Sequence, residues 1–263
     1  QGKFAEAEPL YRRTTEILET ALGPEHPNVA TALNDRAALL HAQRKFAEAE
    51  PLYRRGTEIL ETALGPEHPN VATALNNRAG LLSAQGKFAE AQPLFERALA
   101  INEAALGVDH PSTITSRAWM AYLYEKQGFL DKASPLLEEV VSARERIQGR
   151  DHPDVASALN NRAWLLKSQG KFDEAEPLYE RSLAIREKAL GPEHPDVAES
   201  LNNRAQLLQS QGKYDEADRL HLRAIEIGEK TPGPDHPALA TRLNNRAQLL
   251  SAQGRYEEAE PLY

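Results

Sequence analysis

The amino-acid sequence predicts an all-α fold, an α-solenoid built from antiparallel helix pairs, and three observations support this prediction. First, His-Pro pairs recur every 42 residues along the 263-residue chain. Self-similarity at such a period is typical of repeat architectures. Second, apolar residues within each period follow helical spacing. Third, no segment alternates apolar and polar residues as a half-buried strand does. The histidines of these pairs are His26, His68, His110, His152, His194 and His236.

Each 42-residue period is predicted to contain two helices, here termed A and B. In the second repeat, Gly65 suits the end of a helix and the prolines that follow stop one. Helix A is predicted from Asn70 to about Gln85, and helix B from Phe88 to Leu106. The same pattern predicts a lone helix B at 1–22 and helix pairs at 27–64, 69–106, 111–148, 153–190, 195–230 and 237–263, the last with a partial helix B. We expect one solenoid over 1–263 that is a fragment of a longer protein, because both ends interrupt a repeat.

Composition narrows the functional classes. The chain has no cysteine, which excludes disulfides, thiolate metal sites and cysteine nucleophiles. Its 39 acidic residues outnumber its 31 basic residues, which argues against a nucleic-acid partner. No apolar run approaches the roughly 18 residues of a membrane span. The first four residues lack the features of a signal peptide. We therefore expect a cytoplasmic protein with no membrane partner.

Catalysis and metal binding find no support in the sequence. There is no nucleophile turn with partner residues, no Gly-rich phosphate loop and no His-Glu-x-x-His motif. Helices pack about 8–10 Å apart, so equivalent histidines of successive repeats cannot reach one zinc ion. A structural role for the loop histidines is favoured over metal binding. We expect neither an enzyme nor a bound cofactor.

The second repeat resembles a tetratricopeptide repeat. The residues that match the small and large apolar positions of that family are Leu75, Ala79, Leu82, Ala91, Phe95 and Ala98. The 42-residue length, the Leu-Asn-Asn segment and the Leu-Gly-Pro-Glu-His-Pro connection are similar to the repeats of kinesin light chains. The resemblance implies a right-handed superhelix whose A helices line a concave groove for extended peptides. Similar arrays also form arms of nucleotide-switch receptors.

An arginine ladder departs from the family pattern on helix A. Its members are Arg36, Arg78, Arg162, Arg204 and Arg246. Each falls in the apolar sector of its helix, where a guanidinium needs an acidic or carbonyl partner. Every repeat with this arginine has a glutamate early in its own helix B, at Glu48, Glu90, Glu174, Glu216 and Glu258. The repeat with Met120 instead has Lys132 there. We expect ion pairs within each repeat, with anion binding as the alternative.

An asparagine row lies outside the apolar sector of helix A. It comprises Asn34, Asn76, Asn160, Asn202 and Asn244. An amide both donates and accepts, so it can pair with a peptide backbone whatever the side chains of the ligand are. In the tetratricopeptide family, asparagine at this phase commonly has that role. The alternative is a ladder of asparagines that links neighbouring helices.

Two further positions on the same face vary between repeats while the rest of the repeat is nearly constant. The first set is Ala38, Gly80, Tyr122, Trp164, Gln206 and Gln248, and the second is His41, Ser83, Glu125, Lys167, Gln209 and Ser251. This variation predicts a row that reads ligand side chains. Tyr122 and Trp164 occur in neighbouring repeats and are candidates for an aromatic clamp. Free drift of surface residues is the alternative, as is refilling of an altered core by the aromatics of the third repeat.

The function predicted from these rows is a protein-interaction scaffold that binds a peptide segment of a partner. Its predicted peptide-binding residues are Asn34, Asn76, Asn160, Asn202, Asn244, Tyr122, Trp164, Lys167, Gln206, Gln248 and His41. One alternative is a spacer or self-assembling array that stacks end to end through uncapped termini. Another is a sensor arm of a larger nucleotide-switch receptor.

Overall fold

A computed structural model describes residues 4–231, 233 and 236–263; the first three residues of the predicted lone helix B lie outside this range. The described residues contain thirteen α-helices and no β-strand. The helices are α1 (Phe4–Leu22), α2 (Pro27–Ala42), α3 (Phe46–Leu64), α4 (Pro69–Ala84), α5 (Phe88–Leu106), α6 (Pro111–Lys126), α7 (Leu130–Gln148), α8 (Pro153–Ser168), α9 (Phe172–Leu190), α10 (Pro195–Ser210), α11 (Tyr214–Lys230), α12 (Pro237–Ala252) and α13 (Tyr256–Ala259). A 3₁₀ turn, Glu260–Leu262, follows α13.

Helices A and B alternate along the chain, which confirms the predicted all-α solenoid of helix pairs. The even-numbered helices are A helices and the odd-numbered helices are B helices. The chain forms two compact units, residues 1–136 and 137–263, which we call unit 1 and unit 2. In both units an A helix packs against the B helix that follows and the B helix that precedes it, as α4 does with α5 and α3. No helix in the described residues is long and apolar enough to cross a membrane.

The recurring histidine starts each A helix. In all six repeats its Nδ1 accepts a hydrogen bond from the backbone N–H two residues later, as at His68, where Asn70 donates over 3.1 Å. The proline that follows occupies the first turn, where its missing N–H costs no helical bond. The preceding loop needs the left-handed region, and Gly65 supplies it with a φ of 90°. The conserved spacing of the motif therefore sets where every A helix begins.

The buried apolar core has the same arrangement in different repeats. In unit 1, Ala79 and Leu82 of α4 pack with Ala91 and Phe95 of α5, and all four are buried. In unit 2, Ala163 and Leu166 pack in the same way with Ala175 and Tyr179. Such clusters bury the apolar stripe of every A helix and leave its other face free to carry a site.

Candidate functional site

A polar groove runs across the A helices of unit 2. Its cavity measures about 400 Å³, within the range of ligand sites. The lining residues are Lys167 of α8, Gln206, Gln209 and Ser210 of α10, Tyr214 of α11, and Asn245, Gln248 and Ala252 of α12. Three of the predicted site residues, Lys167, Gln206 and Gln248, thus converge on one cavity.

A short local pattern brings these side chains to the groove. In α10, Leu207 and Leu208 are buried in the core, while Gln206 and Gln209 on either side of them are half-buried. Residues three apart on a helix share a face, so the two glutamines project together. In α8, Trp164 and Lys167 flank a buried leucine pair in the same manner. The core thereby fixes which residues reach the groove.

Lys167 is the only charged residue among those that line the groove. Its Nζ donates to Gln206 Oε1 over 3.4 Å and lies 4.8 Å from the centroid of the Trp164 ring. Burial lowers the pKa of Lys167 below the ordinary value of 10.5, because a partly desolvated ammonium is less stable than a solvated one. The groove therefore presents one poorly solvated cation among neutral amides, an arrangement suited to a carboxylate.

The asparagine row links neighbouring A helices in unit 2. Asn203 Nδ2 donates to Asn160 Oδ1, and Asn245 Nδ2 donates to Asn202 Oδ1, each over 3.0 Å. Asn160 and Asn202 are only 7% and 8% exposed. The inter-helix ladder left open by the sequence is therefore present here, and the amide oxygens that accept these bonds are already engaged. The predicted role in holding a peptide backbone stays a prediction.

The other asparagines of the row differ from this pair. Asn76 is 6% exposed and donates to Ser116 Oγ over 2.8 Å. Asn34 is half-buried, and Asn244 is exposed. Asn244 is therefore the most exposed residue of the row.

Two predicted site residues of unit 1 are engaged with their own neighbours. The imidazole of His41 packs edge-on against Phe46 at 5.6 Å, and burial lowers the pKa of His41. Tyr122 packs edge-on against Trp119 at 5.8 Å, with Lys126 Nζ 5.2 Å from its ring centroid. Tyr122 belongs to unit 1 and Trp164 to unit 2, so the aromatic clamp stays a prediction.

The predicted ion pairs within repeats are wrong. Three of the ladder arginines instead pair with acids of the preceding helix B: Arg162 with Glu138 at 3.3 Å, Arg204 with Glu180, and Arg246 with Asp218 at 2.7 Å. The earlier expectation placed these partners at Glu174, Glu216 and Glu258, and Glu258 pairs with Arg255 instead. The reason is that helix A turns this face toward the helix before it as well as the one after it, and the acid of the earlier helix is within reach.

The first two ladder arginines differ from the others at these partner positions. Arg162 and Arg204 pair with the residue 24 positions earlier, and for Arg36 and Arg78 that residue is Arg12 and Arg54. Arg246 pairs with the residue 28 positions earlier. At that position Arg36 and Arg78 have Glu8 and Glu50, which pair with Lys45 and Lys87.

The histidines form no metal centre in the part of the chain that the structure describes. No group of three or more His, Cys, Asp or Glu side chains converges there. The loop histidines instead cap the A helices. His221, which is not part of that series, is fully buried on α11, at the phase that carries Tyr179 and Phe95 in other repeats.

Several groove residues were not among the predicted set. They are Gln209, Ser210, Tyr214, Asn245 and Ala252. Gln209 belongs to the second variable row, so its variation between repeats could have identified it as a candidate site residue. Asn245 is the second asparagine of the Leu-Asn-Asn segment, and nothing in the sequence shows that it faces the same cavity as Gln206. Tyr214 opens helix B, where the core aromatic Phe88 stands in another repeat.

The chain belongs to the tetratricopeptide repeat family. The family model matches residues 1–62, 45–104, 70–118, 113–188, 165–227 and 196–263, which together span the whole chain. Proteins of this family are typically scaffolds for protein–protein interaction rather than enzymes. The predicted resemblance is therefore confirmed.

Among solved structures, the chain is similar to kinesin light chain-like repeat proteins. One is a kinesin light chain candidate from Podosopora anserina with nearly identical TPR-like repeats. The two sequences are 30% identical, the match covers 74% of this chain and 93% of that chain, and the TM-score is 0.63. Another is BtubC (BKLC) from P. vanneervenii, which is 23% identical over 84% of this chain and 87% of that chain, with a TM-score of 0.67; this likeness shows the fold alone. No curated protein matches this chain in sequence.

Proposed function

We propose that the unit 2 groove binds an extended segment of a partner protein and that an acidic side chain of this segment faces Lys167. The observation that supports the proposal is the convergence of three variable helix-A positions, Lys167, Gln206 and Gln248, on one cavity. Variation concentrated on a shared cavity is expected of residues that select a ligand.

The charge of the groove selects the chemistry of the ligand. Lys167 is half-buried, and its contacts are a neutral amide oxygen and an indole ring. Neither neutralises an ammonium, so a ligand carboxylate would gain a charge-assisted hydrogen bond. The lining contains no carboxylate that would repel it. A basic segment would instead meet an uncompensated like charge.

The amides supply the sequence-independent part of the interaction. Gln206, Gln209 and Gln248 each carry two donors and an acceptor, which match the N–H and C=O groups of an extended backbone. Trp164 beside Lys167 is 36% exposed and offers an apolar surface at the edge of the site. Aromatic residues of this kind are enriched at binding hot spots.

A peptide-library selection on the wild-type protein tests the proposal. We expect the recovered peptides to be enriched in Asp or Glu. Lys167→Met should weaken their binding by about 10- to 100-fold, because a hydrogen bond to a charged group contributes roughly 1.5–3 kcal/mol. Lys188→Met is the matched control, since Lys188 on α9 pairs with Asp151 and does not line the groove.

Two further variants test the asparagine row and the aromatic edge. We expect Asn160→Ala and Trp164→Ala to weaken the same peptides. Full affinity in both variants, or equal effects of Lys167→Met and Lys188→Met, would contradict the groove assignment.

Self-association is the alternative proposal, supported by the exposed face of α1. Leu10 and Ile17 are 67% and 55% exposed, whereas Ile59, the equivalent of Ile17 in α3, is 2% exposed and packs against Val29 of α2. A second copy would cover this face. Light scattering over a wide concentration range tests it: oligomers that Leu10→Lys and Ile17→Lys abolish support self-association, and a constant monomer mass contradicts it.

A further inference from the structure

Unit 1 contains a counterpart of the unit 2 groove, three repeats earlier in the sequence. Lys167, Gln206, Asn245 and Gln248 correspond there to His41, Gly80, Trp119 and Tyr122. The counterpart therefore replaces amides and an ammonium by aromatic rings and a glycine. Because both sets of residues stand at the same phases of their A helices, the two sites can be compared position by position.

The groove-facing residues of α4 are covered. Gly80 is buried, and Ser83 is only 5% exposed. Their counterparts in α10, Gln206 and Gln209, are half-buried and line an open cavity. Gly80 is the smallest residue of the first variable row, and Ser83 shares that place with Ser251 in the second. Groove-facing residues this small that are still buried must lie beneath another group.

Trp119 supplies the cover over Gly80. Its ring atoms Cη2 and Cζ3 lie 3.7 and 3.8 Å from the position that a Cβ on Gly80 would take. The indole stacks on Phe95 of α5, with ring centroids 5.8 Å apart and planes 16° from parallel. Tyr122 packs against it edge-on. In unit 2, Asn245 stands in place of Trp119 and leaves the space above Gln206 open.

We infer that Trp119 closes the unit 1 counterpart and that Gly80 and Trp119 are the residues that confine peptide recognition to unit 2. The second part of this inference, that recognition is confined to unit 2, rests on the proposed function, because it requires that the unit 2 groove binds a peptide. Closure itself depends only on the packing of Trp119. A Cβ on Gly80 would stand in van der Waals contact with the indole, so a longer side chain there, such as that of Gln206, would compete with the indole for the same space.

The two tryptophans of the chain allow each unit to be observed separately. Protein labelled with fluorotryptophan gives one fluorine resonance for Trp119 and one for Trp164, assigned with Trp119→Phe and Trp164→Phe. We expect exchange of H₂O for D₂O to shift the Trp164 resonance more than the Trp119 resonance. An equal or larger shift for Trp119 would overturn closure.

The same labelled protein locates the ligand. A peptide recovered from the library selection should move the Trp164 resonance and leave that of Trp119 in place. Movement of both resonances would overturn confinement while the proposed binding in unit 2 stood, and movement of the Trp119 resonance alone would overturn both. If the selection recovers no peptide, the proposed function and the confinement drawn from it both fail, and the isotope shift still decides closure.

A transplant of the closure into unit 2 gives a reciprocal test. Gln206→Gly, His221→Phe and Asn245→Trp together recreate the arrangement of Gly80, Phe95 and Trp119. We expect this triple variant to lose at least about tenfold in affinity for the recovered peptide relative to a control carrying only Gln206→Gly and His221→Phe. Circular dichroism checks that both fold. Equal affinity of the two variants would overturn the inference.

Discussion

Gly228 and Arg242 share one space between α11 and α12: a Cβ on Gly228 would lie 2.6 Å from Arg242 Nη1 and 3.2 Å from Leu239 Cδ1. One repeat earlier the sizes are reversed, because Arg186 of α9 donates to the small Ser200 of α10 over 2.9 Å. Arg242 is 6% exposed, and burial lowers its pKa, with Glu199 opposing that effect. Each of these two junctions between repeats therefore holds one large and one small residue. The arginine lies on helix B at the first junction and on helix A at the second.

This relationship predicts that the effect of Gly228→Ala depends on residue 242. In the wild type we expect a neutral to destabilising effect of up to about 2 kcal/mol, since overpacking outweighs the gain in helix propensity. In an Arg242→Ser background the same change should stabilise by up to about 1 kcal/mol, because the closest contact is removed and only the flexible end of Leu239 remains near the new methyl group. Urea unfolding of the four proteins measures both values. An identical effect in the two backgrounds would refute the steric coupling.

The histidine caps predict a matched pair of variants at His68. His68→Ala removes the acceptor for the Asn70 N–H and should lower the free energy of unfolding by about 1 kcal/mol. His68→Asn keeps a side-chain acceptor at the cap and should retain most of that stability. Thermal or urea unfolding distinguishes them. Equal losses in both variants would show that the imidazole contributes through something other than its cap.

Buried His221 predicts acid sensitivity of unit 2. Burial lowers the pKa of His221 from 6.5 to about 4, with Asp218 of α11 raising it and Arg246 of α12 lowering it further. The unfolded chain therefore binds more protons than the folded chain between these two values. Stability should fall as the pH drops from about 6.5 toward 4, by a total on the order of 3 kcal/mol.

His221→Phe should remove this component of the pH dependence. The variant has Phe at the helix position where Phe95 is fully buried in its own repeat. A phenyl ring has no group that can be protonated. Urea unfolding from about pH 7 to about pH 4.5 compares the two proteins. If the wild type and His221→Phe lose stability in parallel over this range, His221 is not the source of the acid sensitivity.

The corrected arginine pairing predicts which acid couples to Arg204. Arg204 is 21% exposed and Glu180 is 51% exposed in their side chains, so we expect a coupling energy below about 1 kcal/mol for this pair. A double-mutant cycle with Glu216, the partner in its own repeat that the sequence had favoured, should give no measurable coupling. A larger coupling to Glu216 than to Glu180 would restore the earlier assignment.

The sequence alone predicts most of the fold and part of the site. The His-Pro period places the start of every A helix, because the histidine cap and the following proline are local features. The partner of Arg204 could not be deduced, since Glu180 and Glu216 stand on the two B helices that flank its A helix and only packing decides between them. The sequence gives one indication that Gly80 is buried under Trp119: the smallest residue of its row is followed in the next repeat by a large aromatic residue. This pattern does not give the direction in which the indole points.

The most direct test of the proposed groove is a crystal structure of the chain with a library-selected peptide. We expect the peptide to lie across α8, α10 and α12, with a carboxylate within hydrogen-bond distance of Lys167 Nζ and backbone groups paired with Gln206 and Gln248. A peptide seated elsewhere, such as on the exposed face of α1, or one that leaves Lys167 without an acidic partner, would contradict the proposal.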